Sequence, residues 1–592
     1  VEELSRFVEE LATRVQSLES ELHGLGPVRE VPTDVGAVPA GAEVLAEPDL
    51  EALVAQGAAP EEPAVASGWS ALALVGRTLM VLGGAYLFRA LTEAGTVPAH
   101  VGLLLGLVYA FVWLFFADRA AASGHPRSAA FHGASFALIA EPLAWEAAGR
   151  FGAVGATGGA LGVVLFTGCA LAVAWWRNLR VVAWIAVLGA IFSAWALMAS
   201  IEPILPGVAV LVVVTVAADW LGLLRGWRAL PWVAALTANL TLAVLAVEAA
   251  FGRLDALAAN EHLLWVLLAL FVLSSGGAVV RAVTMERWRP RWFDLAQVPA
   301  SVLVGYGGGW LMVRALVRSD LAGAGLALAL GVASLVVAVC CYGVSFPLLK
   351  LRPERRPAYL LMSSLGLVLA VGGCGLVLGS AGQAAVWSVL AVAGAWVSGR
   401  FRTVTLGLHA FLFAVLAAVV SGLLVDAGVA FVSTPSAGWP VVSPVAIAVL
   451  VALAVASSLR LPADSPFWGK AARVPKFLLL GAFIWAAGGA VLVVLLPLVA
   501  GGENGAALVA AVRTAFVALM ALVLAWSSRF ARFREARWLV YVVLAAGAVK
   551  LLGEDLPLGR AGELFVALAV YGGALILAPR LARGSGEEDT AA

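Results

Sequence analysis

The sequence predicts an all-α polytopic membrane protein, a bundle of about eighteen transmembrane helices preceded by a short coiled coil and a disordered linker. Three observations lead there. Hydrophobic residues make up 62% of 592 positions and charged residues only 13%, against roughly 45–50% and about 25% in soluble domains. The apolar residues fall in runs of about 20, the length that crosses a bilayer core. Arginines and lysines gather between those runs. One water-soluble core cannot keep growing with chain length, so this much apolar surface needs lipid as its solvent. The net charge of +1 gives no reason to expect a nucleic-acid partner.

Residues 1–25 follow a heptad. Val1, Val8, Val15 and Leu22 occupy one seam position, and Leu4, Leu11, Leu18 and Leu25 the other. β-Branched residues at a with leucine at d favour a parallel two-stranded coil. Three heptads are marginal alone, so the expectation is a homodimer or a contact with a partner helix. Gly24, Gly26 and Pro27 stop the helix. Residues 26–67 are rich in Pro, Ala, Gly and acid. They hold too little apolar surface to fold and read as a flexible tether. No apolar stretch with a small-residue cleavage site precedes residue 70, so no cleaved signal peptide is expected.

The polytopic domain is expected over residues 68–581, with a disordered tail over 582–592. Spans are placed near 71–91, 98–117, 129–149, 153–176, 181–200, 203–224, 229–251, 262–281, 297–317, 321–344, 358–379, 382–399, 403–425, 441–459, 475–499, 504–527, 537–556 and 561–579. Loops after even-numbered spans are basic, as in Arg177 and Arg180, Arg281 to Arg291, and Arg529 to Arg537. Loops after odd-numbered spans hold only Arg150, Arg253, Arg318 and Arg560. The positive-inside rule then puts both termini in the cytoplasm. Trp175, Trp396 and Trp526 stand just before arginine clusters, where an interfacial aromatic belt belongs. The phrases Ala174–Arg180, Ala395–Arg402 and Ala525–Arg532 are alike, which either an internal repeat or membrane physics alone would produce. Gly102/Gly106, Gly155/Gly159, Gly158/Gly162 and Gly305/Gly309 have the spacing that lets helices approach closely.

Two stretches carry a family likeness. One runs from Val75 to Ala90, followed by Pro98 and a glycine-rich second span; the other is Lys550-Leu-Leu-Gly-Glu-Asp-Leu556, leading into Gly562 and Pro579. With Trp176-Arg-Asn-Leu-Arg180, they resemble the bacterial multi-pass membrane family known as domain of unknown function 2339. The resemblance implies an inner-membrane protein with an N-terminal coiled coil and a very large helix count, and it brings no activity with it.

Charge near the bilayer centre costs about 2.5–3.5 kcal/mol on insertion scales, so intramembrane ionisable residues point to function. Glu141, Arg513 and Lys550 fall in the outer halves of their spans and form the primary substrate-binding hypothesis. They either line a polar cavity open to the periplasm or form a structural bridge from Glu141 to Arg513 or Lys550. Pro142 disturbs the helix next to Glu141. Asp219, Glu248, Arg314, His409, Glu554 and Asp555 are secondary polar candidates. Arg77, Arg89 and Glu146, near span ends, read as snorkelling anchors, and His409 as a hydrogen-bonded core residue.

Cys169, Cys340, Cys341 and Cys374 lie inside apolar runs, without the spacing of a metal or disulfide framework. No cofactor or metal is expected. No phosphate-cradling loop, HExxH or nucleophile elbow occurs. Three classes remain. A carrier or flippase-like transporter for an envelope lipid, glycan or other amphiphile stands first. A non-catalytic scaffold of an envelope complex, which the dimer-prone tail would serve, stands second, and an intramembrane transferase third. Membrane lipids are the expected partners, and the bacterial inner membrane the expected location.

Overall fold

The computed structural model describes residues 80–81, 83–251, 257–285, 289–318, 323–351, 355–463, 468–500, 505–558 and 561–583. The expected coiled coil and tether, Arg77, most of the tail after 582 and much of the first span lie outside the described residues. Within them the chain is helical throughout, with no strand. Helix α1 covers 83–93, α2 Ala99–Ala122, α3 Pro126–Gly149, α4 Ala156–Arg177, α5 Arg180–Ser200, α6 Leu205–Arg225 and α7 Leu230–Ala250. Next come α8 Leu257–Thr284, α9 Trp292–Ser301, α10 Gly308–Arg318, α11 Gly323–Leu351, α12 Arg356–Val377, α13 Ser380–Phe401 and α14 Val404–Val420. The last are α15 Leu423–Val432, α16 Pro444–Ser458, α17 Val474–Val499, α18 Gly505–Ser527, α19 Ala536–Lys550 and α20 Ala561–Arg583. Widened π turns, Val302–Gly307 and Leu551–Asp555, follow α9 and α19.

Proline and left-handed residues set the boundaries. Pro126, Pro231, Pro357, Pro444 and Pro475 sit in first turns, where the missing N–H has no intrahelical partner to lose. Asn178 and Arg402 close α4 and α13 in the left-handed region, at φ 57° and 54°. Two of the three similar phrases thus end their helices the same way. The third does not: α18 ends at Ser527 without a left-handed residue after it.

The solvent is written on the surface. Large apolar side chains such as Leu161, Leu236, Val339 and Leu498 stand exposed on helix flanks, a surface that water would not tolerate on this scale. Between helices alanine is the commonest buried residue, as expected where lipid supplies no hydrophobic drive and close backbone approach must hold the bundle together. Neighbours in sequence pair strongly, as in α2 with α3, α11 with α12 and α13 with α14. Longer-range packing joins α3 to α5, α13 to α16, α15 to α17 and α18 to α20. At Gly305 a Cβ would come within 2.7 Å of the Leu267 carbonyl oxygen, so the first π turn lies directly on the backbone of α8.

Thirteen helices among the described residues are long and apolar enough to cross a membrane, or fourteen if one bent pair is a single span, against the eighteen expected. The missing ones have physical reasons. Residues 71–79 and 82 of span 71–91 lie outside the described residues. Span 129–149 is helical, as α3, but its two glutamates and its small residues dilute its hydropathy. Span 441–459 supplies only the short α16. Span 537–556 is interrupted by the second π turn. Span 403–425 is broken: α14 and α15 meet at a 70° bend, with Gly422 in the left-handed region at φ 81°. The span expected at 297–317 begins earlier, at Trp292.

Half-helix α15 docks on α17 at Gly489, where a Cβ would land on the Cβ, Cα and carbonyl carbon of Ala427. Backbone cannot yield as a side-chain tip can. Gly489→Ala is therefore expected to destabilise the protein by about 1–3 kcal/mol. The adjacent Gly488, whose Cβ would meet Met520 Sδ at 3.1 Å and Phe431 at 3.2 Å, should tolerate alanine better. Thermal denaturation of the two variants in one detergent tests the ranking.

Candidate membrane-embedded polar sites

Arg513 and Lys550 meet, through acids that lie next to Lys550 in the chain. In a regular helix Lys550 and Asp555, five residues apart, face different ways. The π turn over Leu551–Asp555 re-aims the later residues, and both acids then reach Lys550, while Glu554 also reaches Arg513. Lys550 Nζ lies 2.8 Å from Asp555 Oδ2 and 3.4 Å from Glu554 Oε2. It also donates to Thr514 Oγ1 at 2.6 Å and to the Ala510 carbonyl at 2.7 Å. The Thr514 hydroxyl donates to Asp555 Oδ2 at 2.7 Å. Arg513 donates to Glu554 Oε1 at 2.5 Å and to the Ser433 carbonyl at 2.6 Å. Its side chain is 0% exposed.

Ser433 is the residue that ends α15, so a buried guanidinium closes the carbonyl end of the half-helix. Helix C-termini leave carbonyls unsatisfied and carry partial negative charge, which favours a cation there. The same solution recurs at α16. Lys476, read from the sequence as part of a basic loop, is buried and donates to the Ser457 and Leu459 carbonyls. Both short helices thus end against buried cations supplied by neighbouring spans.

Glu141 is elsewhere, which corrects the expected trio. It is 1% exposed, with Oε1 accepting from Thr167 of α4 at 3.1 Å. Oε2 has no hydrogen-bond partner and presses on Gly189 of α5, where a Cβ would strike it. Among the described residues Glu141 forms no ion pair, so the expected bridge to Arg513 or Lys550 is not made.

A third site is a ladder of alternating charge. Arg150 Nη2 is 3.0 Å from Glu93 Oε1, Arg89 Nε is 2.8 Å from the same oxygen, and Arg89 Nη1 is 2.5 Å from Glu146 Oε1. Arg89 and Glu146 are therefore partners rather than separate anchors. They line a cavity of about 230 Å³ between α1, α2 and α3.

A fourth site escaped sequence reasoning in three of its four members. Arg281 bridges Asp219 at 3.1 Å and Asp294 at 2.8 Å, and Arg291 bridges the same two acids at 2.5 and 2.9 Å. Starting the span at 297 left Asp294 in a loop. The signal was present: Asp294 three residues beyond Arg291, accepting its backbone N–H at 3.0 Å, is the acid half of a helix-start pattern.

Among the remaining candidates, His409 Nδ1 is 3.0 Å from the Tyr342 hydroxyl. Arg314 donates to the Gly375 carbonyl at 3.3 Å and lies over the Trp310 ring. Glu248 lies half-buried near the end of α7. No group of three His, Cys, Asp or Glu side chains that could hold a metal occurs among the described residues. The chain matches no protein-family model, no curated protein and no solved structure.

Proposed function

We propose that this multi-pass membrane protein is a carrier, flippase-like in operation, for an envelope lipid, glycan or other amphiphile of the bacterial inner membrane, with both termini in the cytoplasm. The broken span carries the reading. Non-helical backbone at membrane depth is tolerated only where it is buried in protein or lines a cavity. Half-helix ends facing buried charge are a recurrent feature of transporters. Here α15 turns away from α14 by 70°, and the Ser433 carbonyl at its far end is met by the buried Arg513. Burying that cation has a desolvation cost, which supports a functional rather than a merely structural role for the bent pair. The resemblance at 75–90 and 550–556 implies an inner-membrane protein and brings no activity with it.

One observation favours the second reading, a scaffold. The Arg513, Lys550, Glu554 and Asp555 charges pair with one another and sum to zero.

Purified full-length protein in liposomes, assayed with a headgroup-labelled fluorescent phospholipid and a lipid-linked sugar against an impermeant quencher, separates the two. A carrier moves at least one probe faster than protein-free vesicles do, and Lys550→Ala and Glu141→Gln return the rate to the protein-free value. Protein-free rates for both probes, with the same bulk lipids co-purifying with wild type and variants, would leave the scaffold.

A further inference from the structure

The cavity between α1, α2 and α3 differs from the Arg513 network in two respects. It is open space of about 230 Å³ lined by Arg89 and Glu146, and from these two the ion pairs run outward past its lining through Glu93 to Arg150, from buried to exposed. Along the ladder, side-chain exposure rises from 9% at Glu146 to 25% at Arg89, 38% at Glu93 and 52% at Arg150. Below it the walls are apolar: Leu103, Leu138, Ile139 and Leu143, with Gly106 and Pro142 leaving the space unfilled. A polar, charged rim over an apolar slot is the shape of an amphiphile site. At about 30 Å³ per water-sized share, the slot takes a segment of one acyl chain, and the rest of the lipid stays in the bilayer.

The rim selects the headgroup. Arg150 offers a guanidinium fork suited to phosphate. Glu93 meets Arg89 and Arg150 through Oε1, and its second oxygen, with no ion-pair partner among the described residues, suits a hydrogen-donating cation. An anionic headgroup would meet Arg150 but be repelled by Glu93. A trimethylated ammonium would meet Glu93 without a proton to donate. We infer that this groove binds a zwitterionic glycerophospholipid with a primary ammonium group, its phosphate on Arg150, its ammonium on Glu93 and one chain along Leu103 and Leu138. Arg89 and Glu146 hold the rim in place from behind. Arg150 and Glu93, the outermost members, are the ones a lipid can reach without dismantling the protein.

The test uses phosphatidylethanolamine with a photoactivatable group in its acyl chain, in vesicles containing the full chain, with adducts mapped by mass spectrometry. Labelling is expected on α2 and α3 around Leu103 and Leu138, competed by unlabelled phosphatidylethanolamine and not by phosphatidylglycerol or phosphatidylcholine. Glu93→Gln should lower it about tenfold, the equivalent of about 1.4 kcal/mol. Leu103→Trp, which fills the slot, should remove it. An unchanged thermal midpoint in both variants shows that the bundle is intact; if Leu103→Trp misfolds, Glu93→Gln decides alone. Equal competition by all three lipids, unchanged labelling in Glu93→Gln, or labelling spread evenly over flank residues such as Leu161 and Leu236 would overturn the site. Competition by phosphatidylglycerol alone would overturn the ammonium assignment. The readout is binding, so its failure leaves the transport assay standing, and the reverse holds.

Discussion

Arg513→Ala is expected to destabilise the protein by about 3–5 kcal/mol, the usual result of removing one partner from a buried ion pair. The loss has two sources. Glu554, half-buried, keeps only Lys550, at 3.4 Å. The Ser433 carbonyl loses its donor, so half-helix α15 ends with an acceptor that the protein no longer satisfies. The measurement is the thermal midpoint of purified protein in lipid nanodiscs, and the diagnostic step is the double variant. Arg513→Ala with Glu554→Ala restores charge balance, so it should recover part of the loss, because neighbours in one network do not add. A double variant as unstable as the sum of the singles would show that Arg513 acts on α15 alone. Arg513→Lys keeps the charge and loses the planar fork that reaches Glu554 and Ser433 together, so it should fall between wild type and alanine.

Arg281→Ala is expected to cost a similar amount, again about 3–5 kcal/mol, at a site with no connection to α15. It leaves Asp219 and Asp294 sharing Arg291, two carboxylates against one guanidinium. The partner substitution is the control. Arg291 is 28% exposed where Arg281 is 4%, and water screens a partly exposed pair, so Arg291→Ala should cost less. Adding Asp219→Ala to Arg281→Ala returns the site to one cation and one anion and should recover stability. Equal losses for the two arginines would mean that the quartet is as wet at Arg281 as at Arg291, contrary to its burial.

The fold class was legible because the relevant signal is local. An apolar run of a given length, closed by arginines, needs no knowledge of its neighbours to be read as a spanning helix. The reading failed where a local signal competes with packing. At 403–425 the composition says one helix, whereas the backbone turns by 70° at Gly422. It can do so because Arg513 receives the end of α15 and Gly489 gives α15 a seat. Lys476 looked like any loop lysine, and its burial under α16 has no counterpart in the run of residues around it. Glu141 and Arg513 lie at similar depth in the sequence-derived spans yet pack in different parts of the bundle. Glu141 meets α4 and α5, Arg513 meets α15 and the turn after α19.

The sequence by itself determined that this chain is a helical membrane protein, since backbone polar groups in hydrocarbon must be satisfied within each segment and composition records where those segments run. It also named some of the residues that carry charge into those segments, Glu141, Arg513 and Lys550 among them, but not the buried Lys476, Arg281 and Asp294. Only the tertiary structure decided which of those charges meet. Arg513 reaches Ser433 across 80 residues of chain, Arg291 reaches Asp219 across 72, and Thr167 reaches Glu141 across 26. In a bundle each helix has several possible neighbours of the same length and polarity. The choice among them rests on the fit of alanines and glycines at their contacts, which no single span contains.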